Sequence, residues 1–377
     1  MPGPKIIIVG AGLGGLTLAQ SLRVHGLEYE IYEREEGPHT RNQGWAVSLH
    51  WLAKRPVIMT RQSDVFSSCL QDHTATSMST AMYDAYTKKP IGMAADVDWA
   101  SHVFIRANRT KLRDYLATAI DIKWGKKFAR YEIGGDGRVK AFFEDGTVAE
   151  GDILIGADGV RSRVRDTLYK SNPPPLNIVP VGVIVGNVSL NREQSDRQIS
   201  LGRSFYVLMA KKFRFFVGVR SYSEDASQGN YYWLFFFPDE AARLPGFWID
   251  SASPAELLEF VITKCDEFHP ELKEILSYQK VEDMQKPFVM SDGVPELYAP
   301  GPITLIGDAS HPMTPFRGEG ANNAMQDAVE LGDKIASAVE RNSSVTDALR
   351  EYEKDMVPRA KKSVLESRAA TMTMYEY

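Results

Sequence analysis

Residues Ile6 to Glu33 read IIIVGAGLGGLTLAQSLRVHGLEYEIYE. A β-branched run from Lys5 to Val9, helical periodicity from Leu13 to His25 and a second short apolar run from Tyr29 to Tyr32 predict a strand, a helix and a strand in succession. That is the opening of a doubly wound sheet. Gly10, Gly12 and Gly15 lie where the first strand turns into the helix. Gly10 permits the tight turn, Gly12 lets the backbone approach a pyrophosphate, and Gly15 lets helix pack on strand, while the helix N-terminus offers free N–H groups. Glu33 closes the second strand about 20 residues on, where a carboxylate can accept hydrogen bonds from both ribose hydroxyls. It would also repel a 2′-phosphate, so the expected tightly held dinucleotide is FAD or NAD rather than NADP.

The rest of the composition narrows the class. With 377 residues, 44% of them hydrophobic, the chain can bury one large core or two linked ones. A net charge of -5 and the absence of a long Lys/Arg run give no field for a nucleic-acid partner. Cys69 and Cys265 are far apart and lack ligand spacing, so neither a disulfide framework nor a metal site is expected, and a reducing, cytoplasmic location fits. The apolar stretch from Ile6 to Leu22 is broken by glycines and followed by no cleavage site. Without a run of 18 apolar residues, no membrane span is expected.

Apolar strands recur before glycines at Asp152 to Ile155 and at Ile303 to Ile306, which predicts a nucleotide-binding sheet assembled from distant segments. Between them the texture becomes β-rich and aromatic, in the runs Val181–Val188, Phe205–Met209, Phe213–Val219 and Tyr231–Phe237. The fold class expected is α/β: a Rossmann-type FAD-binding domain with an inserted antiparallel β-sheet substrate domain and C-terminal helices. The boundaries read as residues 1–72, 101–172 and 286–342 for the FAD-binding domain, 73–100 and 173–285 for the substrate domain, and 343–377 for a C-terminal helix.

FAD is favoured over NAD by two further motifs, GADGVRSRVR from Gly156 to Arg165 and GDASHPMTPFRGEGANNAMQDAVEL from Gly307 to Leu331. With GAGLGG, they stand in the order and at about the spacing found in the aromatic-hydroxylase group of FAD-dependent monooxygenases, the para-hydroxybenzoate hydroxylase-like, or group A, enzymes. The chain resembles that family over almost its whole length, and its PFRGEG form looks most like fungal enzymes of secondary metabolism. The resemblance implies non-covalent FAD, NADPH or NADH as a transient reductant, O2 as co-substrate, and insertion of one oxygen atom into a small organic substrate through a flavin C4a-hydroperoxide. It assigns Asp308 to the ribityl chain, Asp158 to the pyrophosphate region, Arg109 to the cofactor, and Arg41 with Ala46 to the loop that lies along FAD. Pro315, Gly318, Gly320 and Ala321 form a loop and helix start whose N–H groups would favour electron density on the flavin's pyrimidine ring.

Few catalytic side chains are expected where the flavin carries the hard step, so the catalytic residues stay unknown, with His311 and Pro315 as flavin-adjacent candidates. Some relatives hold a phenolate with an Arg or Tyr in the central sheet, but Val181–Val188 contains neither. Tyr206, Tyr231, Trp233 and Phe316 remain as pocket candidates. The Trp51–Thr76 segment, rich in Lys, Arg, Ser and Thr, departs from the expected pattern. A flavin oxidoreductase of the same fold without oxygen insertion, and a flavin-binding protein without catalysis, stay open at this point. Substrate identity, the choice among hydroxylation, epoxidation and Baeyer-Villiger insertion, and oligomeric state cannot be read from the sequence.

Overall fold

The computed structural model describes residues 3–40, 44, 46–49, 77–98, 105–170, 172–225 and 227–375. The expectations for Arg41 and for the Trp51–Thr76 segment lie outside the described residues. The chain opens with β1 (Ile6–Val9), α1 (Leu13–Val24) and β2 (Tyr29–Tyr32), followed by β3 (Ala46–Leu49), β4 (Ser77–Asp84) and β5 (Pro90–Asp98). It continues through β6 (Ile105–Asn108), α2 (Arg109–Leu116), β7 (Ile122–Lys123), β8 (Phe128–Ile133), β9 (Val139–Phe143), β10 (Val148–Gly151), β11 (Ile153–Gly156) and α3 (Arg163–Leu168). Then come β12 (Asn177–Asn191), α4 (Arg192–Leu201), β13 (Phe205–Ala210), β14 (Phe213–Tyr222), β15 (Gln228–Pro238), α5 (Pro254–Lys264) and α6 (Pro270–Lys273). The last elements are β16 (Met284–Asp292), β17 (Ile303–Leu305), α7 (Gly320–Glu340) and α8 (Val345–Met372).

One sheet is parallel, in the order β17-β11-β1-β2-β7, so the strands before the three glycine-bearing motifs are consecutive neighbours in it. Ile6, Ile7, Ile8 and Val9 are all buried, as a strand covered on both faces requires. On one face α1, α7 and α8 pack through Leu16, Leu22, Val329, Ile335, Leu349, Tyr352 and Met356. The C-terminal helix is therefore part of the core built on the parallel sheet. The other face is covered by the small antiparallel sheet β10-β9-β8, through Val139, Ala141 and Phe143, an element the apolar pattern alone does not announce.

The second large sheet has seven strands in the order β16-β12-β15-β14-β13-β4-β5, antiparallel except for the β13–β4 pair. Its β16 runs to Asp292, which pairs with Asn177. The boundary expected between 285 and 286 therefore moves beyond Asp292, because the backbone ladder, not the composition, sets it. Behind this sheet lie α5 and α6, and Leu257, Val261 and Leu272 meet Trp233, Phe235 and Tyr206 there. A capping box at Ser253 and Glu256, with Pro254 in the first turn, starts α5. The front face carries Val181, Val183, Val185, Phe236 and Phe216, and Phe316 from the nucleotide-binding part packs onto it.

Candidate functional site

The glycine-rich turn shows which constraints come from the protein itself. Gly10 has φ +108°, and a Cβ there would lie 2.4 Å from the Ala157 carbonyl oxygen; one at Gly15 would lie 2.0 Å from the Gly10 carbonyl oxygen. Both positions are closed by neighbouring backbone. At Gly12 an added Cβ meets nothing within 4 Å. Gly12 is also the N-cap of α1 and caps it with no side chain, so the first turn keeps free N–H groups directed at that open space. A cradle that a side chain would fill, at an uncapped helix start, suits a pyrophosphate.

Two charged residues fix this turn at Ala11, one through its N–H and one through its carbonyl. Glu33, 6% exposed, accepts the Ala11 N–H at 2.7 Å through one oxygen and the Glu35 N–H at 3.2 Å through the other. Arg113 donates from Nε to the Ala11 carbonyl at 2.9 Å and from a terminal nitrogen to the Pro38 carbonyl at 2.9 Å, with its guanidinium over the Trp124 ring. Burial lowers the Arg113 pKa, and the Glu33 charge opposes that shift. The sequence reading missed this role for Arg113, although its place one helical turn after Arg109 was a signal.

Asp308 follows Gly307 directly after β17. Its side chain reaches solvent by area, yet it is set so deep among protein groups that burial pushes its carboxyl pKa up, with His311 and Arg109 pulling it down. Arg109, at the start of α2, is half-buried against Gly44, where a Cβ would come within 3.1 Å of a guanidinium nitrogen. Burial lowers its pKa, Asp308 raises it and Arg113 lowers it further. Arg109 and Asp308 thus influence one another's charge.

His311 is fully buried, and its Nε2 lies 2.6 Å from Asp327 Oδ2. That oxygen also accepts the Gly307 N–H at 2.8 Å, while Oδ1 accepts from Arg359 at 2.8 Å. The imidazole is a strut beneath the Gly307–Asp308 turn and does not open onto solvent. Asp158 accepts the Arg163 and Val164 N–H groups at 2.8 and 3.3 Å and so adds to the Ser162 cap at the start of α3, with its backbone beside Gly10. Arg165 bridges the second and third motifs by donating to the Val160 and Ala309 carbonyls at 2.9 and 3.2 Å.

The third motif ends in a turn at Pro315–Arg317, closed by Gly318 at φ +65°. Gly320 and Ala321 open α7, which has no side-chain cap. Pro315 is exposed, and the Phe316 ring packs on Phe236 of the second sheet at 4.9 Å between centroids. Ala46 lies on β3, paired with Asn108, and its backbone hydrogen-bonds the Tyr232 hydroxyl.

The other three pocket candidates are placed elsewhere. Tyr206, Tyr231 and Trp233 are at most 2% exposed and belong to the core behind the second sheet. Their polar atoms bond Gln198, Tyr222 and Gln279 at 2.7, 2.8 and 2.7 Å. The pattern of alternation puts Tyr232 on the opposite, front face. There Arg106 donates to its hydroxyl at 2.6 Å. An Arg and a Tyr therefore do meet on the front of the sheet, from strands other than β12. Beside them runs a cross-strand row of Met82, Val207, Phe216 and Leu234, all at least partly exposed. Among the described residues no group of acidic, His and Cys side chains could hold a metal ion, and no helix is long and apolar enough to cross a membrane.

This fold and site define an α/β protein with a glycine-rich, dinucleotide-type cradle on a parallel sheet and a second, separate sheet. The FAD binding domain family matches residues 4–367, and the chain belongs to that family. It is 37% identical over 380 residues to the FAD-dependent monooxygenase thnD of Trichoderma harzianum, covering 96% of this chain and 92% of that protein. It is 26% identical to the FAD-dependent monooxygenase phnB of Penicillium herquei, over 96% of this chain and 89% of that one. Among solved structures it resembles HpxO of Klebsiella pneumoniae complexed with FAD and uric acid, at 21% identity and a TM-score of 0.79 over 98% of this chain and 88% of that chain. It also resembles 2,6-dihydroxypyridine-3-hydroxylase of Arthrobacter nicotinovorans, at 18% identity and a TM-score of 0.81 over 99% and 93% of the two chains. The last two likenesses bear on the fold, and they match a nucleotide-binding part joined to a front-facing sheet.

Proposed function

We propose that the protein is an FAD-dependent monooxygenase that takes electrons from NADPH or NADH and places one atom of O2 into a small organic substrate of the secondary-metabolite kind. The observation that carries this reading is the contact between the third motif and the sheet. Phe316, in the loop ahead of the uncapped helix α7, packs on Phe236, so whatever lies at that helix start faces an apolar wall. Such a wall limits the access of water to reactive oxygen species.

In this reading the α1 N-terminus with Gly10, Gly12 and Gly15 holds the pyrophosphate, Glu33 the ribose and Asp308 the ribityl chain. Asp158 sets the second motif's turn beside the pyrophosphate. Arg109, whose charge opposes that of Asp308, would balance it beside the bound cofactor. Gly318, Gly320 and Ala321 present backbone N–H groups to the pyrimidine edge, where negative charge develops on reduction. When bound, FAD supplies hydride acceptance and oxygen activation. His311, tied to Asp327, holds the Gly307–Asp308 turn in place, and Phe316 closes the substrate side. Fold-level likeness alone assigns no reaction, so the test is chemical.

The purified protein should be yellow, release its colour on heating, and have its flavin bleached by NADPH or NADH without air and restored by air. Turnover of a panel of fungal aromatic metabolites under isotopically heavy oxygen should give a product carrying one heavy atom. A product without label points to the oxidoreductase reading, and a flavin that neither nucleotide bleaches points to a binding protein.

A further inference from the structure

On the front of the second sheet, Leu234 of β15 and Phe216 of β14 are half-buried, and they continue a cross-strand row through Val207 to the exposed Met82. Two residues away along the same strands, Tyr232 and Gly218 on one side and Phe236 and Arg214 on the other are all buried. The row is therefore an apolar strip with closed edges. Four residues of antiparallel strand span about 14 Å, so a flat molecule lying along β15 meets Tyr232 at one end and Phe236 at the other. On the Tyr232 side Arg106, 7% exposed, lies 5.0 and 5.8 Å from the Phe205 and Phe216 ring centres, and its Nε has no hydrogen-bond partner among the described residues. A buried donor without an acceptor is costly, so a molecule on the strip gains by turning an acceptor toward it.

On the Phe236 side the strip ends at a residue from far along the chain. A single 3-10 turn, Thr373–Tyr375, follows α8 and seats Met374 in the front cluster of the sheet. Met374 is fully buried there with Val181, Val183, Met290 and Phe236, and Phe216, Leu234 and Phe316 pack against the same cluster. Polar ties fix it from two sides. Arg214 donates to the Thr373 carbonyl at 3.4 Å, and Arg368 Nε pairs with both oxygens of the buried Asp292 at 2.9 and 3.2 Å. One turn earlier the Thr371 and Thr314 hydroxyls meet at 2.8 Å, just ahead of Phe316. Met374 thus stands at a set place between the sheet and the Phe316 loop, with an unbranched side chain that fills the gap there.

We propose that Met374 is a specificity-determining residue: it closes the strip at the Phe236 end and sets the length of the flat ring system that the sheet accepts. The molecule lies with its polar end toward Arg106 and its apolar end against Met374. A shorter side chain at this position joins the Val181–Met290 corner to the strip and admits a longer molecule. This rests on the reading that the substrate lies between this sheet and bound FAD.

The test titrates the oxidised holoenzyme with benzoate, 2-naphthoate and anthracene-2-carboxylate, which carry one acceptor group on a lengthening flat ring system. Binding is followed by calorimetry and by the flavin absorbance. Met374→Ala and Met374→Val should each bind the anthracene probe about fivefold or more tighter than wild type, with benzoate within about twofold. Met374→Leu, of similar volume, should track wild type on all three. A residue that only supports the fold would weaken or spare the three probes alike. If Met374→Ala does not fold, Met374→Val decides. No selective gain for the longer probe in either variant, whether or not wild type binds it, overturns the wall alone. Probes that bind without perturbing the flavin overturn the placement of substrate beside it, and the wall with it. A purified protein that takes up no FAD overturns the functional reading itself.

Discussion

His311 Nε2 and Asp327 Oδ2 lie 2.6 Å apart with both side chains sealed in the core, directly under the turn that presents Asp308. Burial alone would raise the Asp327 pKa, but His311, Arg359 and the Gly307 N–H outweigh it, and the carboxyl is held below its usual value. A depressed folded-state pKa gives stability that is present above the unfolded pKa, near 3.9, and is lost as pH falls through the folded value. Asp327→Asn should therefore cost about 3–5 kcal/mol at neutral pH, the range for breaking a buried pair. The gap to wild type should narrow below about pH 4, in urea unfolding followed across pH. A gap of constant size would refute the electrostatic account.

The three glycines of the first motif should separate folding from binding. Gly10→Ala and Gly15→Ala push a Cβ into backbone oxygens at 2.4 and 2.0 Å, so both should lower the melting temperature of the apoprotein. Gly12→Val enters open space, so the apoprotein should melt as wild type does. The valine fills the space where a pyrophosphate would meet the helix, and FAD binding should be abolished. Apoprotein melting and FAD titration by flavin fluorescence check the pair. Normal flavin affinity in Gly12→Val would remove the pyrophosphate from this turn.

Local signals carried the first motif well. Strand, turn and helix are adjacent in the chain, and Tyr29–Tyr32 falls where the apolar run places it. The second sheet was legible as strands but not as faces. In YYWLFFF, Tyr231 to Phe237, apolar residues occur at odd and even positions because helices cover one face, while Phe316 and Met374 pack against the other. Period-two alternation then cannot tell Tyr231 and Trp233, in the rear core, from Tyr232 at the front. Arg106 was illegible for a different reason: its partner lies 126 residues away, and only the tertiary fold brings the two together. His311 looked flavin-adjacent because the resemblance assigns its motif neighbours to the flavin, yet Asp327 on α7 draws the ring inward.

Asp308 shows a conflict between stability and binding. Burial raises its pKa in the folded state, so the ionised form is disfavoured there. The associated stability is full below the unfolded pKa and is lost as pH rises through the folded one. Because the side chain still meets solvent, which screens the effect, Asp308→Asn should raise the apoprotein melting temperature only slightly at neutral pH and leave it unchanged under acid conditions. The same variant should weaken FAD by about 1.5–3 kcal/mol through loss of a charged acceptor for the ribityl chain. Melting curves across pH, with an FAD titration, test both halves. An apoprotein destabilised at neutral pH would contradict the sign of the shift.

Glu33 and Arg113 should act as one unit, because they grip the two peptide groups that flank a single residue, Ala11. The Ala11 N–H goes to the carboxylate and the Ala11 carbonyl to the guanidinium, and both charges are buried. Glu33→Ala should reduce FAD affinity by about 1.5–3 kcal/mol through loss of the ribose acceptor. It also leaves the Ala11 and Glu35 N–H groups without their partner, so the apoprotein should lose stability too. Arg113→Lys keeps the charge but not the fork that reaches both Ala11 and Pro38, and it should lose about 1–3 kcal/mol of apoprotein stability. Once either residue is gone the turn is already loose, so the double variant should be less destabilised than the sum of the singles. A urea-unfolding cycle on the apoprotein measures that coupling directly. Strict additivity would mean that the two charges hold the turn independently, and that Glu33 is placed for the ribose alone.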